Sequence, residues 1–256
     1  HPEATGVGPL PFNNVDRIRL STAITHLDPS RHRLNLTIKP NVTANRVVFE
    51  GKKATGVEVT SDGQKFVIQA DEVILSSGAI GSPHLLLLSG VGPAKHLSKM
   101  KIPLVHNLSG VGKNLRDHPE VFVVFRTRKN FKQYMSDPRF QLYLRYTAKE
   151  SCLRNDMMMQ LWCHATEPDN LLTPLGFYLM PTIQSERSSG ELRLQSKNPE
   201  IQPLIDYGFL QDEFDVSRLR EGVRIAVGLG EHEAFRDIVE ERLQPSNKIL
   251  DSDDAL

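Results

Sequence analysis

Apolar and polar positions change rhythm several times along the chain. Residues 34–38 (LNLTI), 46–50 (RVVFE), 55–60 (TGVEVT) and 65–70 (KFVIQA) alternate or are rich in Val and Ile, the pattern of half-buried strands. Ser61-Asp62-Gly63 supplies the turn residues that join the last two into a hairpin. Residues 73–75 form a short unbroken apolar run, as in a strand buried on both faces. A helix is then expected over 84–89. Ser82 would cap it and Pro83 would occupy its first turn, where no amide donor is needed. Gly90 would stop it. A short helix at 93–99 and a strand at 102–105 follow.

The first 14 residues are rich in Gly and Pro and read as loop. Residues 19–27 read as a short helix with Ser21 or Thr22 near its start. Beyond residue 118 the texture changes. VFVVFRT (121–127), DMMMQLWCHA (156–165), GFYLMPTI (176–183) and GELRLQS (190–196) read as strands. Residues 140–146 and 231–243 read as helices. Residues 212–230 have helical spacing behind an acidic first turn, in which Asp212, Glu213 and Asp215 read as solvated. The expected class is α/β in the broad α+β sense. Residues 1–118 would be part of a Rossmann-like nucleotide-binding domain, and 119–256 part of a domain with a mostly antiparallel sheet backed by helices.

Charge narrows the partners. Lys and Arg number 31 against 31 acidic residues, so neither nucleic acid nor an anionic membrane is expected. No apolar run approaches the roughly 18 residues of a membrane helix. Cys152 and Cys163 make neither a disulfide framework nor a zinc site. They read as free thiols of a reducing compartment, and the expected location is cytoplasmic. No metal site is expected. The Asn-x-Ser/Thr triplets at Asn35, Asn41 and Asn107 are not read as glycosylation.

The chemistry concentrates in GAIGSPHLLLLSGVG, residues 78–92. A strand that ends in Ser76-Ser77-Gly78-Ala79 and runs into a helix brings main chain against a ligand. Glycine lets the backbone approach closely, and amides at a helix start can face phosphates. A bland structural turn fits the same residues. Gly-x-Gly occurs at Gly6, Gly90 and Gly110, each time without the third glycine of a dinucleotide fingerprint. Asn114, Asp117 and His118 form a polar run with two readings, a cofactor contact or a hydrogen-bonded loop clasp. Trp162 and His164 share one predicted strand, where they either line a pocket or sit in the core. Met157, Met158 and Met159 fit a soft substrate wall or adaptable core. No Gly-x-Ser-x-Gly elbow supports hydrolysis.

The whole string 78–92 resembles the second sequence signature of the glucose–methanol–choline (GMC) family of FAD-dependent oxidoreductases. Gly78, Ala79, Ser82, Pro83, Leu85, Leu86, Ser89, Gly90, Val91 and Gly92 all fit that pattern. RLSTAITHL, RHRLNLTI, RVVFEGKKATGVEV and LSGVGKNLRDHPEV resemble further family segments, with Ser109 at a position where the family usually has Pro. The passage from SSGELRLQ to the helix at VSRLREGVRIA resembles the family's substrate domain.

The resemblance implies FAD as cofactor and a small-molecule alcohol as substrate. It implies a choline- or alcohol-dehydrogenase-like oxidation of a CH–OH group, with hydride passing to flavin N5. It leaves the electron acceptor open. It also implies cofactor contacts at Ala44 (through backbone), Ser77, Gly78, Ala79, Ser82, Pro83, Asn114, Asp117 and His118, and a substrate-facing role for Trp162 and His164. The family's acid–base histidine sits in a His-x-x-Gly-Thr setting that none of these nine histidines has, so no catalytic residue is assigned. The chain reads as an internal fragment of a longer protein, inactive alone. Two rival readings are a non-catalytic binding or scaffold module derived from this fold and, on weaker grounds, an NAD-dependent dehydrogenase.

Overall fold

The computed structural model describes residues 4–16, 18–134, 136, 138–165 and 176–256, with backbone alone for His164 and Ala165. It is a mixed α/β molecule in which antiparallel sheets dominate and helices are few. The chain forms two compact units, both discontinuous in sequence. One holds Asn13–Arg116 and Ser189–Gly208; the other holds His1–Phe12, Asp117–Ser188 and Phe209–Leu256. The sequence pattern, by contrast, suggests one boundary at residue 118.

In the first unit, Thr43–Glu50, Lys53–Ser61 and Gln64–Gln69 form an antiparallel three-stranded sheet. Asp62 and Gly63 both have positive φ, the geometry that matches a tight hairpin to strand twist. A helix over Gly78–Leu88 buries Leu87 and Leu88 with Leu97, Leu192 and Leu194. Ser89 fixes this helix to the sheet: its buried Oγ donates to the Leu85 carbonyl at 2.6 Å and accepts the Val47 amide at 2.8 Å. A second three-stranded sheet joins Lys113–Leu115, Gly190–Arg193 and Leu204–Asp206.

The second unit is a six-stranded antiparallel sheet. Its order is Gly6–Pro9, Phe140–Tyr146, Met157–Ala165, Gly176–Ile183, Val123–Thr127, Val239–Gln244. The helix Glu213–Gly230 packs Val223 and Ala226 on Val123, Phe125, Met159, Phe177 and Leu179. Met157 and Met159 are thus core residues. Alternation along the strands puts Trp162 and Tyr178 on the opposite face.

Several expected elements are corrected. Residues 140–146 are a strand, not a helix, because both edges of the segment pair with neighbours. Gly6–Pro9 pairs there too, where a loop was expected. Residues 231–243 give a 3-10 turn, Glu233–Phe235, and the edge strand Val239–Gln244. Residues 34–38 and 73–75 form no strand: no described strand pairs with them, and an unpartnered ladder stays in water. Ile74 is 78% exposed. The predicted strand at 102–105 is displaced to His106–Asn107, which pairs in parallel with Val91–Gly92. Residues 19–27 yield only a π turn, Ala23–Leu27, followed by a 3-10 turn, Asp28–Ser30.

The signature helix begins a turn earlier than its capping pattern suggests. Ser77 is the N-cap residue and Gly78, at φ +77°, the first helical one. Ser82 is no cap; from inside the helix its Oγ accepts the Ser77 amide at 3.1 Å. Pro83 therefore lies within the helix, where it cannot donate to the Ala79 carbonyl.

Asp215 is also corrected, from a solvated residue to a fully buried one. Its carboxylate accepts the amides of Arg187 and Ser188 and pairs with Arg218 at 2.5 Å.

Candidate functional site: a cleft beside the signature helix

The Gly78–Leu88 helix exposes its start, and the segment 110–116, a turn leading into the strand Lys113–Leu115, lies beside it. Between them opens a cleft of about 420 Å³ lined by Ala79, Ser82, Pro83, Leu86, residues 110–116 and Leu192. That volume falls in the range of ligand pockets. The loop is pinned from behind. The Leu192 amide donates to the Gly112 carbonyl at 2.6 Å. Gly112 has φ +80°, and a Cβ there would stand 2.3 Å from the Leu192 carbonyl oxygen, so only glycine fits. Gly110 differs: a Cβ would meet nothing within 4 Å. The far end of the signature obeys the same steric logic. Gly90, at φ +84°, ends the helix, with the Pro103 carbonyl oxygen 2.3 Å from where a Cβ would be.

Four polar side chains stand on an otherwise apolar wall: Ser82, Lys113, Asn114 and Arg116. Ser82 accepts through Oγ from the Ser77 amide, which leaves its own hydroxyl hydrogen to give. Asn114, at φ +57°, accepts from Arg116 Nε at 3.0 Å through Oδ1. Lys113 bridges to Glu191, whose other oxygen takes Arg193 Nε at 3.0 Å. The hydrogen bond from Lys113 holds the Glu191 carboxyl below its ordinary pKa.

Ala79, Ser82, Pro83 and Asn114, named from sequence, meet at this cleft. Ser77 and Gly78 sit exposed at the helix start and are not on the wall. Ala44 lies exposed on the Thr43–Glu50 strand at a register shift, also off the wall. Sequence reasoning named Leu86 only as part of the signature and Gly110 only as an incomplete fingerprint, and it did not single out Gly112, Lys113, Arg116 or Leu192. The string GVGKNLR around Asn114 could have signalled most of them; Leu192 arrives from a strand far along the chain.

Asp117 and His118 belong to the other unit. Asp117 Oδ1 accepts the His118 amide at 2.9 Å. His118 Nδ1 lies 2.9 Å from the Ile183 carbonyl oxygen. A carbonyl only accepts, so Nδ1 is the donor in this contact. Glu186 Oε2 stands 3.9 Å from the same nitrogen. Trp162 sits in a ring cluster, with Phe140 at 4.0 Å, Tyr178 at 5.1 Å and Phe122 at 6.3 Å between centroids. The His164 side chain lies outside the described residues. No metal-binding cluster occurs among the described residues, and no helix there is long and apolar enough to cross a membrane.

Comparison with known proteins gives this geometry a family. A model described as GMC oxidoreductase matches residues 2–120, and a second with the same description matches 186–255. A GMC-type oxidoreductase of Rhodococcus erythropolis, itself uncharacterized, is 35% identical over 93% of this chain and 47% of its own length. Mitochondrial choline dehydrogenase of Mus musculus is 32% identical over 90% of this chain and 43% of its own. The chain therefore spans about half the length of the curated relatives it matches. Among solved structures, pyridoxine 4-oxidase from Mesorbium loti superimposes with TM-score 0.89 at 23% identity, over 99% of this chain and 50% of that one. A formate oxidase from Aspergillus oryzae, studied for its FAD modification, gives 0.76 at 24% identity over 88% and 49%. The chain belongs to the GMC oxidoreductase family.

Proposed function

We propose that this chain forms the cofactor-holding and substrate-facing parts of an FAD-dependent oxidoreductase acting on the CH–OH group of a small alcohol, choline- or alcohol-dehydrogenase-like. The observation that carries this reading is the cleft. It gathers the start of the signature helix and the loop 110–116, about 30 residues on in sequence, around one space. The residues fit the cofactor. Gly110 leaves open room where main chain and ligand would meet, and the wall joins apolar side chains to a few polar ones that can hydrogen-bond a dinucleotide. Ala79, Ser82, Pro83 and Asn114 would hold part of FAD there. FAD, when bound, supplies the two-electron acceptor for alcohol oxidation.

The remaining roles belong to this chain's own groups. Ser82 donates its hydroxyl into the cleft while tying down the helix start. The His118 ring is oriented by the hydrogen bond from Nδ1 to the Ile183 carbonyl, which leaves Nε2 for a ligand. The ring cluster around Trp162 offers the alcohol's carbon skeleton an apolar wall. On this reading the first unit belongs to the FAD domain and the second to the substrate domain. The 256-residue chain contains no His-x-x-Gly-Thr segment, and no alcohol turnover is expected from it alone.

The test is FAD titration into the purified chain, followed by flavin fluorescence, with Gly110→Trp as the blocking variant. Saturable binding by the wild type, lost in a normally folded Gly110→Trp, is expected. NADH binding without FAD binding would instead support the dehydrogenase of another class.

A further inference from the structure

A second pocket lies within the unit that holds the six-stranded sheet, on the face that the Glu213–Gly230 helix also covers. It measures about 240 Å³, and Phe131, Leu161, Phe177, Phe235 and Ile238 give it apolar walls. The Phe177 and Phe235 rings stack with centroids 5.8 Å apart. An apolar cavity of roughly 150 Å³ is enough for benzene, so a single aromatic ring fits this space. Trp162 and Tyr178 lie on the opposite face of the same strands, and the pocket is separate from their ring cluster. We propose that this pocket is a binding site for a small aromatic carboxylate, with the ring among the phenylalanines and the carboxylate at Lys132. The inference goes beyond the FAD reading and does not depend on it.

A fault in the strand ladder builds the pocket. Trp162 pairs with Tyr178, but the next pair is Ala165 with Gly176, so Cys163 and His164 stand opposite Phe177 alone. Such a bulge takes residues out of the ladder. The Gln133 carboxamide closes the gap: Nε2 donates to the Cys163 carbonyl at 2.5 Å and to the Gly176 carbonyl at 3.0 Å. Both its hydrogens are then spent. Its Oε1 is shut off from solvent, without a partner among the described residues. The carboxamide therefore pins the wall in place and offers a ligand nothing. Charge decides the rest. Lys132, next to that pin, lines the pocket and is exposed, and its ammonium has no ion-pair partner among the described residues. No carboxylate lines the pocket. A cationic ligand meets repulsion there, and a neutral ring meets only the apolar wall. An aromatic anion gains from both the wall and the ammonium.

The experiment titrates three probes of one shape, benzoate, benzamide and benzamidinium, into the full chain and follows NMR shifts. It uses wild type, Lys132→Met and Ile238→Trp, with circular dichroism to check that the variants fold. Shifts should map to residues 131–133, Leu161, Phe177, Phe235 and Ile238. Benzoate should bind about threefold more tightly than benzamide, as one exposed ion pair allows, and benzamidinium should bind most weakly. Lys132→Met should bring benzoate down to the level of benzamide, and Ile238→Trp, which fills the pocket, should abolish the binding of both. The ranking of the probes on wild type decides the question even where a variant does not fold. Equal binding of the three probes, shifts that map to the Trp162 ring cluster, or no saturable binding overturns the proposal.

Discussion

Arg218 Nη1 lies 2.6 Å from Asp156 Oδ2, and both side chains are shut off from solvent although 62 residues separate them in sequence. The same guanidinium reaches Asp215 Oδ1 and the Ser185 carbonyl through Nη2. Asp156 in turn accepts the Ala148 amide and the Ser151 hydroxyl. One buried cation thus fastens the Glu213–Gly230 helix to two loops of the six-stranded sheet.

Removing that cation strands two buried carboxylates. Arg218→Met should destabilise the protein by about 3–5 kcal/mol, read from urea denaturation. A loss below about 1 kcal/mol would show that water already reaches the pair.

Asp215 sets an acid limit. Burial pushes its carboxyl up, but the amides of Arg187 and Ser188, the Ser188 hydroxyl and Arg218 outweigh that and hold it below its ordinary 3.8. A depressed acid contributes stability that is fully present above 3.8 and is lost as pH falls through the folded-state value. The melting-temperature gap between wild type and Asp215→Asn should therefore be constant near neutrality and close below about pH 3.8. A gap that persists unchanged into that acid range would count against the assignment.

His96 works at milder pH. Burial first, then Arg193, lower its pKa from 6.5, against the opposing pull of Glu191. Its Nε2 accepts the Leu194 amide at 3.1 Å, which a protonated ring could not do. This stability is present above 6.5 and drains away as pH falls through the lowered folded value. His96→Gln keeps an acceptor that does not titrate in this range. It should flatten the fall in melting temperature between pH 7 and pH 5 by an amount on the order of a few degrees. Parallel pH profiles for the two proteins would refute the link.

Gly110 and Gly112 stand two residues apart and should answer differently to alanine. Gly112→Ala forces a Cβ to 2.3 Å from a carbonyl oxygen at positive φ and should cost more than about 1 kcal/mol. Gly110→Ala meets open space and should stay within about 0.5 kcal/mol of wild type. Chemical denaturation of the two variants decides it; equal effects would mean that the loop is not pinned as described.

The chain's local chemistry was enough to fix its strongest features. Alternation and turn residues specify the strands at Thr43–Glu50, Lys53–Ser61 and Gln64–Gln69, because Asp62-Gly63 can close that hairpin unaided. Asp212 before an amphipathic run specifies the helix to Gly230, since a cap and a periodic face act within a few residues. The fifteen-residue signature was enough to point to family and cofactor. Other features depended on partners distant in sequence. Residues 140–146 have a composition that either a helix or a strand accepts, and pairing on both edges made them a strand. Residues 73–75 have the composition of a buried strand and lack a described neighbour to make them one. The burial of Asp215 under the amides of Arg187 and Ser188, the meeting of the 78–88 helix with residues 110–116 around a cleft and the arrival of Leu192 behind Gly112 all depend on contacts made by residues far apart in the chain. Local free energy is written in neighbours a few residues apart; burial and electrostatic environment exist only once the chain has folded back on itself.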